Sequence, residues 1–433
     1  LRHRYRYFIM SLVVLMTMIN YLDRGAISYA ANPIIQAFHL NAESWGAVLS
    51  YFGYGYMVGS IVGGFLADRL GPKWVWLTAG SLWSIFEICM AFAGNIGMAV
   101  FGGSALAGFA VFRILFGVSE GPLFSTMNKT VANWASPKEK GFMQSFGLFG
   151  VPFGSLITAP IAVGLLSITT WQTTFIILGV LGIIWVLIWA RVFTNKPEQH
   201  PKVTQEELAV IRSKEVLETE ATLEESEQSQ VPWYYFFRRA TLVCNAIGYF
   251  AFQYVNFLLL TWTPKYLLDT FHYSLGKLWY MGMIPWIGAC VTVLLGGRLS
   301  DWLRRRTGSL RLARAGVAVA SLLLTAICFM LIPTVHSVGA VLLLMAVGNA
   351  FNFLPNSLYW AIVIDTEPAR AGAFGGITHF ITNIATILAP ALTGVLVAAH
   401  GYSAMFVAAA IAAVVGMLAM LFVRPGKRFA SAA

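Results

Sequence analysis

Apolar runs of about 20 residues recur along the whole chain, separated by short polar breaks. A helix rises about 1.5 Å per residue, so a run of about 20 covers the roughly 30 Å of a bilayer's hydrocarbon. The pattern predicts twelve spans, at about 7–31, 44–67, 73–94, 99–132, 141–166, 169–193, 239–266, 275–298, 311–333, 337–364, 371–398 and 402–424. One long stretch breaks the rhythm. Residues 194–238 are polar and hold Glu198, Glu206, Glu207, Glu215, Glu218, Glu220, Glu224, Glu225 and Glu227. Thr204 followed by Glu207 reads as a capping box that opens a short surface helix, and the Glu/Ser/Gln run after it as a solvated linker. The predicted organisation is an N-terminal six-helix bundle (1–193), a cytoplasmic linker (194–238) and a C-terminal six-helix bundle (239–433).

Composition agrees with that pattern. Of 433 residues, 58% are hydrophobic and 11% charged, against about 25% charged in soluble domains. So little charge cannot cover so apolar a core in water, which leaves the lipid bilayer as the solvent. The net charge of +10 does not imply nucleic acid, because the cations sit in short loops. One side carries Arg2, Arg4, Arg6, Arg69, Lys73, Lys138, Lys140, Arg304, Arg305, Arg306, Arg370, Arg424, Lys427 and Arg428; the other has only Lys265 and Lys277. The positive-inside rule therefore predicts cytoplasmic N- and C-termini. The basic start LRHRYRY runs into a span with a polar centre, unlike a cleavable leader. The four cysteines are isolated in apolar segments, with no metal-ligand spacing. No GxxxxGK[ST] loop or nucleophile elbow appears, so neither ATP hydrolysis nor another enzyme activity is expected. No cofactor or metal is expected either.

The two halves echo each other. Residues 63–73 read GGFLADRLGPK and residues 296–308 read GGRLSDWLRRRTG. A glycine pair permits close helix approach, and the acid can cap a helix N-terminus or pair with an Arg of its own loop. Gly64, Asp68, Arg69, Gly297 and Asp301 are thus candidate members of a conformational motif. GGFLADRLG resembles the loop motif of the major facilitator superfamily. That resemblance covers essentially the whole chain. It implies an all-α membrane protein of twelve helices in two pseudo-symmetric bundles, with substrate between them near mid-membrane and alternating access. NYLDRGAIS (20–28), RILFGVSEGPLFSTMNK (113–129), FLLLTWTPKYL (257–267) and HPKVTQEEL (200–208) resemble the anion:cation symporter family within it. Members of that family carry galactonate, glucarate, hexuronates or other organic carboxylates.

Five charges fall deep inside predicted spans: Asp23, Arg24, Glu87, Arg113 and Glu120. Each costs at least about 2.5–3.5 kcal/mol on insertion scales, so each marks a pathway or a relay unless a salt bridge merely fixes packing. Arg113 and Glu120 are seven residues apart, on one helix face but about 10.5 Å apart along the axis. They are too distant to pair with each other, though each can meet a partner from the first span. Arg24 is assigned to a substrate carboxylate, because its fork stays charged and binds bidentately. Asp23 and Glu120 are assigned to protons, with Arg113 organising Glu120 and reaching toward substrate. Glu87 reads equally well as a packing charge.

A sugar acid also presents hydroxyls. Tyr21 lies three residues before Arg24, and Tyr54 and Tyr56 lie mid-span, with Tyr56 matching the family's pocket tyrosine. The second half offers Gln253, Asn256, Asn352, Asn356, Trp360, Thr378, His379, Thr382 and Asn383. His379, Thr382 and Asn383 share a face at i, i+3 and i+4. The competing reading of these amides is helix–helix hydrogen bonding. Two departures from the family stand out: the fifth span reads Gly150-Val151-Pro152-Phe153 where a polar residue is usual, and His379 replaces the usual Asn. The expectation is a multi-pass protein of a bacterial inner membrane, acting as a monomer and importing a small organic anion, a sugar acid, together with protons. The alternatives are an exchanger or facilitator of the same anion without net proton coupling, and a transporter-like receptor.

Overall fold

The structure, a computed structural model, describes residues 5–136, 139–212, 232–367 and 370–426; the side chains of residues 68, 140, 141 and 275 fall outside the description. The described residues are helical or irregular, without strands. The first half contains α1 (Tyr5–Tyr29), α2 (Ala42–Leu70) and α3 (Pro72–Met90). It continues with α4 (Ala105–Trp134), α5 (Lys140–Ile168) and α6 (Trp171–Val192). The second half contains α7 (Ala240–Phe271), α8 (Leu278–Thr307), α9 (Leu312–Thr334), α10 (Val338–Thr366), α11 (Ala371–His400) and α12 (Tyr402–Leu421). Ten of these are long and apolar enough to cross a bilayer. The third span makes eleven once its 72° bend into Ala93–Val100 is allowed. The remaining predicted span, α2, has the length at 29 residues. Its hydropathy is diluted by Tyr51, Tyr54, Tyr56 and glycines at 46, 53, 55, 59, 63 and 64.

Those glycines are what bring α2 onto α4. A Cβ on Gly55 would stand 1.9 Å from the Ile114 carbonyl oxygen, and one on Gly59 would stand 2.1 Å from that of Val118. From the other side, a Cβ on Gly117 would stand 2.2 Å from the Phe52 oxygen. Backbones this close gain van der Waals contact that lipid cannot supply. The repeat carries the same device in the second half, where a Cβ on Gly296 of α8 would stand 1.8 Å from the Leu354 oxygen of α10. In each glycine pair the first member makes the contact. Gly63 abuts Pro122 at 2.4 Å, whereas Gly64 and Gly297 meet only side-chain atoms, at 3.9 and 3.5 Å. The motif's tight positions are therefore Gly63 and Gly296 rather than Gly64 and Gly297.

The motif acid of the second half finds another partner than the adjacent arginines. Asp301 pairs with Arg314 of α9 at 3.1 Å, and the same guanidinium binds Asp365 of α10 at 3.0 Å and the Ser300 hydroxyl at 2.8 Å. Asp68 is the corresponding acid of the first half, and its side chain lies outside the described ones. Arg69 is exposed, with its guanidinium 5.8 Å from the Phe65 ring.

The two halves close on each other at the face opposite the chain termini. A Cβ on Gly46 of α2 would stand 2.8 Å from the Pro390 oxygen of α11, and one on Gly25 of α1 would stand 3.2 Å from Leu260 of α7. Lys265 Nζ reaches Asn32 Oδ1 at 3.3 Å at the same face. On the terminal face, the start of the linker is strapped to the first half. Trp134 donates to the Thr194 carbonyl at 3.1 Å, the Lys73 amide donates to Asn195 at 2.8 Å, and His200 stacks on Tyr5 with centroids 4.2 Å apart. Thr204 caps the helix Gln205–Ile211 by accepting from the Glu207 amide. The Glu207 carboxylate reaches back to α1 and accepts from the amides of Tyr5 (3.1 Å) and Arg6 (3.0 Å). A carboxylate on free N–H groups at a helix start complements the helix dipole. The Glu/Ser/Gln run at 213–231 lies outside the described residues.

Arg6 also binds Glu139, with Nε 2.9 Å and Nη2 3.0 Å from its oxygens, and Tyr7 and Ser136 donate to the same carboxylate. Arg6, foremost, holds the Glu139 carboxyl down to about 2, against an ordinary value near 4.3.

Two outcomes follow from this packing. Gly55→Leu has no room beside Ile114, and should leave little folded protein by fluorescence-detected size exclusion, whereas Gly64→Ala should be tolerated. Because the Glu139 carboxyl is depressed in the fold, its contribution is complete above about pH 4.3 and is lost as pH falls toward about 2. Thermal unfolding of purified protein should therefore show a steeper acid limb below about pH 4 than Glu139→Gln does.

Candidate functional site

The α2–α4 approach sets the site. It brings Arg113 and Glu120 of α4 beside Phe52 and Tyr56 of α2, opposite Asp23 and Arg24 of α1. Arg24 Nε donates to Glu120 Oε2 at 2.6 Å, and both side chains are buried. The Arg24 guanidinium lies 4.4 Å from the Tyr56 ring centroid, 4.8 Å from Phe52 and 4.9 Å from Tyr21. Arg113 shares the Phe52 ring at 5.2 Å and meets Phe116 at 5.8 Å. Aromatic faces stabilise a cation without neutralising it. They leave Arg24 Nη2 buried and without a hydrogen-bond partner.

The sequence read Arg113 as organising Glu120 from a distance, with each of the two able to meet a partner from the first span. In the fold Glu120 meets Arg24 of that span through a hydrogen bond, whereas the strongest electrostatic partner of Arg113 is Glu87 of α3. The reason is helix rotation: Arg24 and Glu120 face each other across the α1–α4 seam, while Arg113, two turns away, faces α3. Trp83, four residues before Glu87 on that helix, donates its indole N–H to Asp23 Oδ2 at 3.0 Å. The five deep charges therefore form one cluster over three helices. Asp23, Arg24, Glu87, Arg113 and Glu120 are each at most 2% exposed.

Beside this cluster, a cavity of about 30 Å³ lies between the two halves. Its walls include Tyr21 of α1, Asn128 and Gln144 of α4 and α5, and Gln253, Asn356, Trp360 and His379 of the second half. The charges themselves stand behind Tyr21 rather than on the wall. In this conformation aromatic rings cover them. Apart from Tyr21, the wall residues named lie on the halves of their helices nearer the terminal face, so the cavity extends away from the closed face.

The predicted polar residues divide. Asn356 and Gln253 line the cavity, and Asn356 Oδ1 is buried without a partner. Trp360 lines it and donates to the Tyr249 hydroxyl at 3.2 Å. His379 lines it as well, with its ring 6.5 Å from Tyr56 and 5.8 Å from Trp360, and receives Asn383 at 3.0 Å. Asn256 donates to Gln253 at 3.2 Å, one layer behind the wall. Thr378 and Thr382 bond back to carbonyls four residues earlier in their own helix. Asn352 donates to the Phe252 carbonyl at 3.1 Å, the helix–helix role. Of the paired tyrosines, Tyr56 is buried in the site and Tyr54 is 52% exposed on the outside.

Sequence reasoning missed Trp83, Asn128, Gln144 and Tyr249. Trp83 carries no pattern that separates it from other membrane tryptophans. Gln144 and Asn128, joined at 2.6 Å, sit where their spans meet the terminal face, so they read as interfacial. Val151 lines the cavity, so the fifth span does contribute an apolar wall there. Among the described residues no group of three or more His, Cys, Asp or Glu is arranged to hold a metal.

Comparison with known proteins agrees with this architecture. A family model described as Major Facilitator Superfamily matches residues 13–381. The chain is 32% identical over 413 residues to the hexuronate transporter of Bacillus subtilis (strain 168), covering 94% of this chain and 92% of that protein. It is 31% identical over 435 residues to the probable galactarate/D-glucarate transporter GudP of the same organism, covering 98% and 93%. It is 31% identical over 430 residues to the probable sulfoacetate transporter SauU of Cupriavidus necator, covering 98% and 95%. Among solved structures, a bacterial homolog of the human lysosomal transporter Spinster, inward-facing and occupied, superposes with a TM-score of 0.73 at 16% identity over 97% of each chain. A D-xylose-proton symporter gives 0.71 at 16% identity, again over 97% of each. The two-bundle helical architecture, the repeated loop motif and the full-length match to transporters converge: this chain belongs to the major facilitator superfamily.

Proposed function

We propose that the chain imports an organic carboxylate, a sugar acid of the hexonate or hexuronate type, coupled to protons across a bacterial inner membrane with both termini cytoplasmic. The observation that carries this reading is Arg24. It is a permanently charged fork, buried beside a cavity between the halves, held by a single acid and with one nitrogen unpartnered. A carboxylate entering the cavity can take that nitrogen and then displace Glu120. The displaced Glu120, buried and without its cation, is driven to take a proton. Proton and anion binding are thereby mutually favourable. Asp23 is the second proton-binding acid, and Arg113 balances the acids around it. Gln253, Asn356, Trp360 and His379, with Tyr21, offer hydrogen bonds to hydroxyls. The curated relatives named for hexuronate and for galactarate/D-glucarate support the substrate class. With cytoplasmic termini, the closed face is periplasmic and this conformation is inward-facing. The carrier acts as a monomer, with H⁺ as the coupling ion and no cofactor.

Uptake into proteoliposomes tests the reading. An inward proton gradient should drive accumulation of D-glucuronate or D-galactonate; transport that ignores the gradient would instead favour an exchanger or facilitator. Arg24→Lys keeps the charge and loses the fork, and should raise KM at least about tenfold. Glu120→Gln should abolish gradient-driven accumulation while counterflow of labelled substrate persists. Unchanged pH dependence of accumulation in that variant would remove Glu120 from the coupling.

A further inference from the structure

The charges of the buried cluster do not balance. Three carboxylates, Asp23, Glu87 and Glu120, face two guanidiniums, Arg24 and Arg113. Arg24 and Glu120 cancel as a hydrogen-bonded pair. By count, that leaves two acids, Asp23 and Glu87, against the one remaining cation, Arg113, whose strongest partner is Glu87, while the cation beside Asp23 is Arg24. Among the described residues no other group makes up the deficit. α6, packed on the far side of α3, has no titratable side chain between Trp171 and Trp189, and α2 brings only tyrosines between Trp45 and Ala67. From α11, His379 faces Arg24 rather than the acids. An unbalanced buried charge is the most costly arrangement a membrane interior can hold.

The oxygens point the same way. Asp23 Oδ1 and Glu87 Oε1 are both buried without a hydrogen-bond partner. The one donor supplied to either acid by a described hydrogen bond is the Trp83 indole, on Asp23 Oδ2. Buried carboxylate oxygens without a protein donor fit an acid that carries its own proton.

We propose that Asp23 and Glu87 together hold one resident proton in the empty carrier, with Glu87 a functional member of the proton site rather than a packing charge. The arithmetic is simple. With the resident proton, the empty cluster has two positive and two negative charges. A bound monoanion adds one negative charge, and a second proton, on Glu120, restores balance. The resident proton therefore stays while the second travels with substrate. This inference rests on the reading of Arg24 as the anion site for its functional consequence, though not for the proton itself. Loss of the resident proton at high pH leaves the cluster net negative and repels the anion.

Two measurements on the purified full chain in nanodiscs decide it. Without substrate, infrared spectroscopy near neutral pH should show the carbonyl band of a protonated carboxyl. Glu87→Gln should lose that band and Glu87→Asp should keep it. A band of equal size in Glu87→Gln, or none in wild type, overturns the proposal. With D-glucuronate as the probe, wild-type affinity should fall about tenfold per pH unit while Glu120 alone takes up a proton with the anion, and should steepen toward about a hundredfold per pH unit once the resident proton is also lost. Glu87→Gln should keep the single slope of about tenfold without the steepening; a profile identical to wild type counts against the proposal. Wild type that binds no sugar acid at any pH defeats the reading under Proposed function, while the infrared comparison still decides the resident proton.

Discussion

Arg24 and Glu120 meet at 2.6 Å inside a protein whose solvent is hydrocarbon, and much of the site follows from the need to keep them there. Neither ion is tolerable alone at that depth. Their pairing requires α1 and α4 to lie face to face, and α4 is brought into place by glycine contacts with α2 that admit no side chain. The aromatic ring of Phe52, at the same seam, is shared by Arg24 and Arg113. Close backbone packing and charge placement are therefore one constraint: bulk at Gly55 or Gly117 would move the helices that carry the ions.

That constraint has a functional side. A salt bridge that is too well satisfied would be inert. This one leaves a guanidinium nitrogen and a carboxylate oxygen of the same pair unpartnered by other side chains. It sits one aromatic layer from a cavity between the halves, so a competing carboxylate can exchange with Glu120 without opening the bundle. The second half offers amides, an indole and an imidazole on the facing wall, and no ionised acid or base as deep as those of the first. Under the proposed function, charge recognition and hydroxyl recognition are divided between the bundles.

The terminal face follows similar rules in a wetter setting. Glu139 and Glu207 converge on Arg6 and on the first amides of α1, fastening the start of the linker to the first half. In the second half Arg314 joins α8, α9 and α10 through Asp301 and Asp365. These partners come from neighbouring helices, whereas the loop's own arginines, Arg304 to Arg306, are exposed.

The sequence determined whatever depends on composition and period. It set the number and length of the spans, the linker between two halves, the repeated loop motif, and the list of charges too deep to be accidental. Hydrophobic thickness and insertion cost act on each segment separately, so a linear reading recovers them. Tertiary structure alone decided the partners. Arg24 became the first-span partner of Glu120, Glu87 became the counter-charge of Arg113, and Trp83 became the donor to Asp23. It also chose Gly63 over Gly64, turned Tyr54 outward and Tyr56 inward, and screened the charges behind Tyr21. Each of these depends on how far one helix is rotated against another. That rotation is fixed by contacts summed over whole helix faces, which no local stretch of sequence encodes.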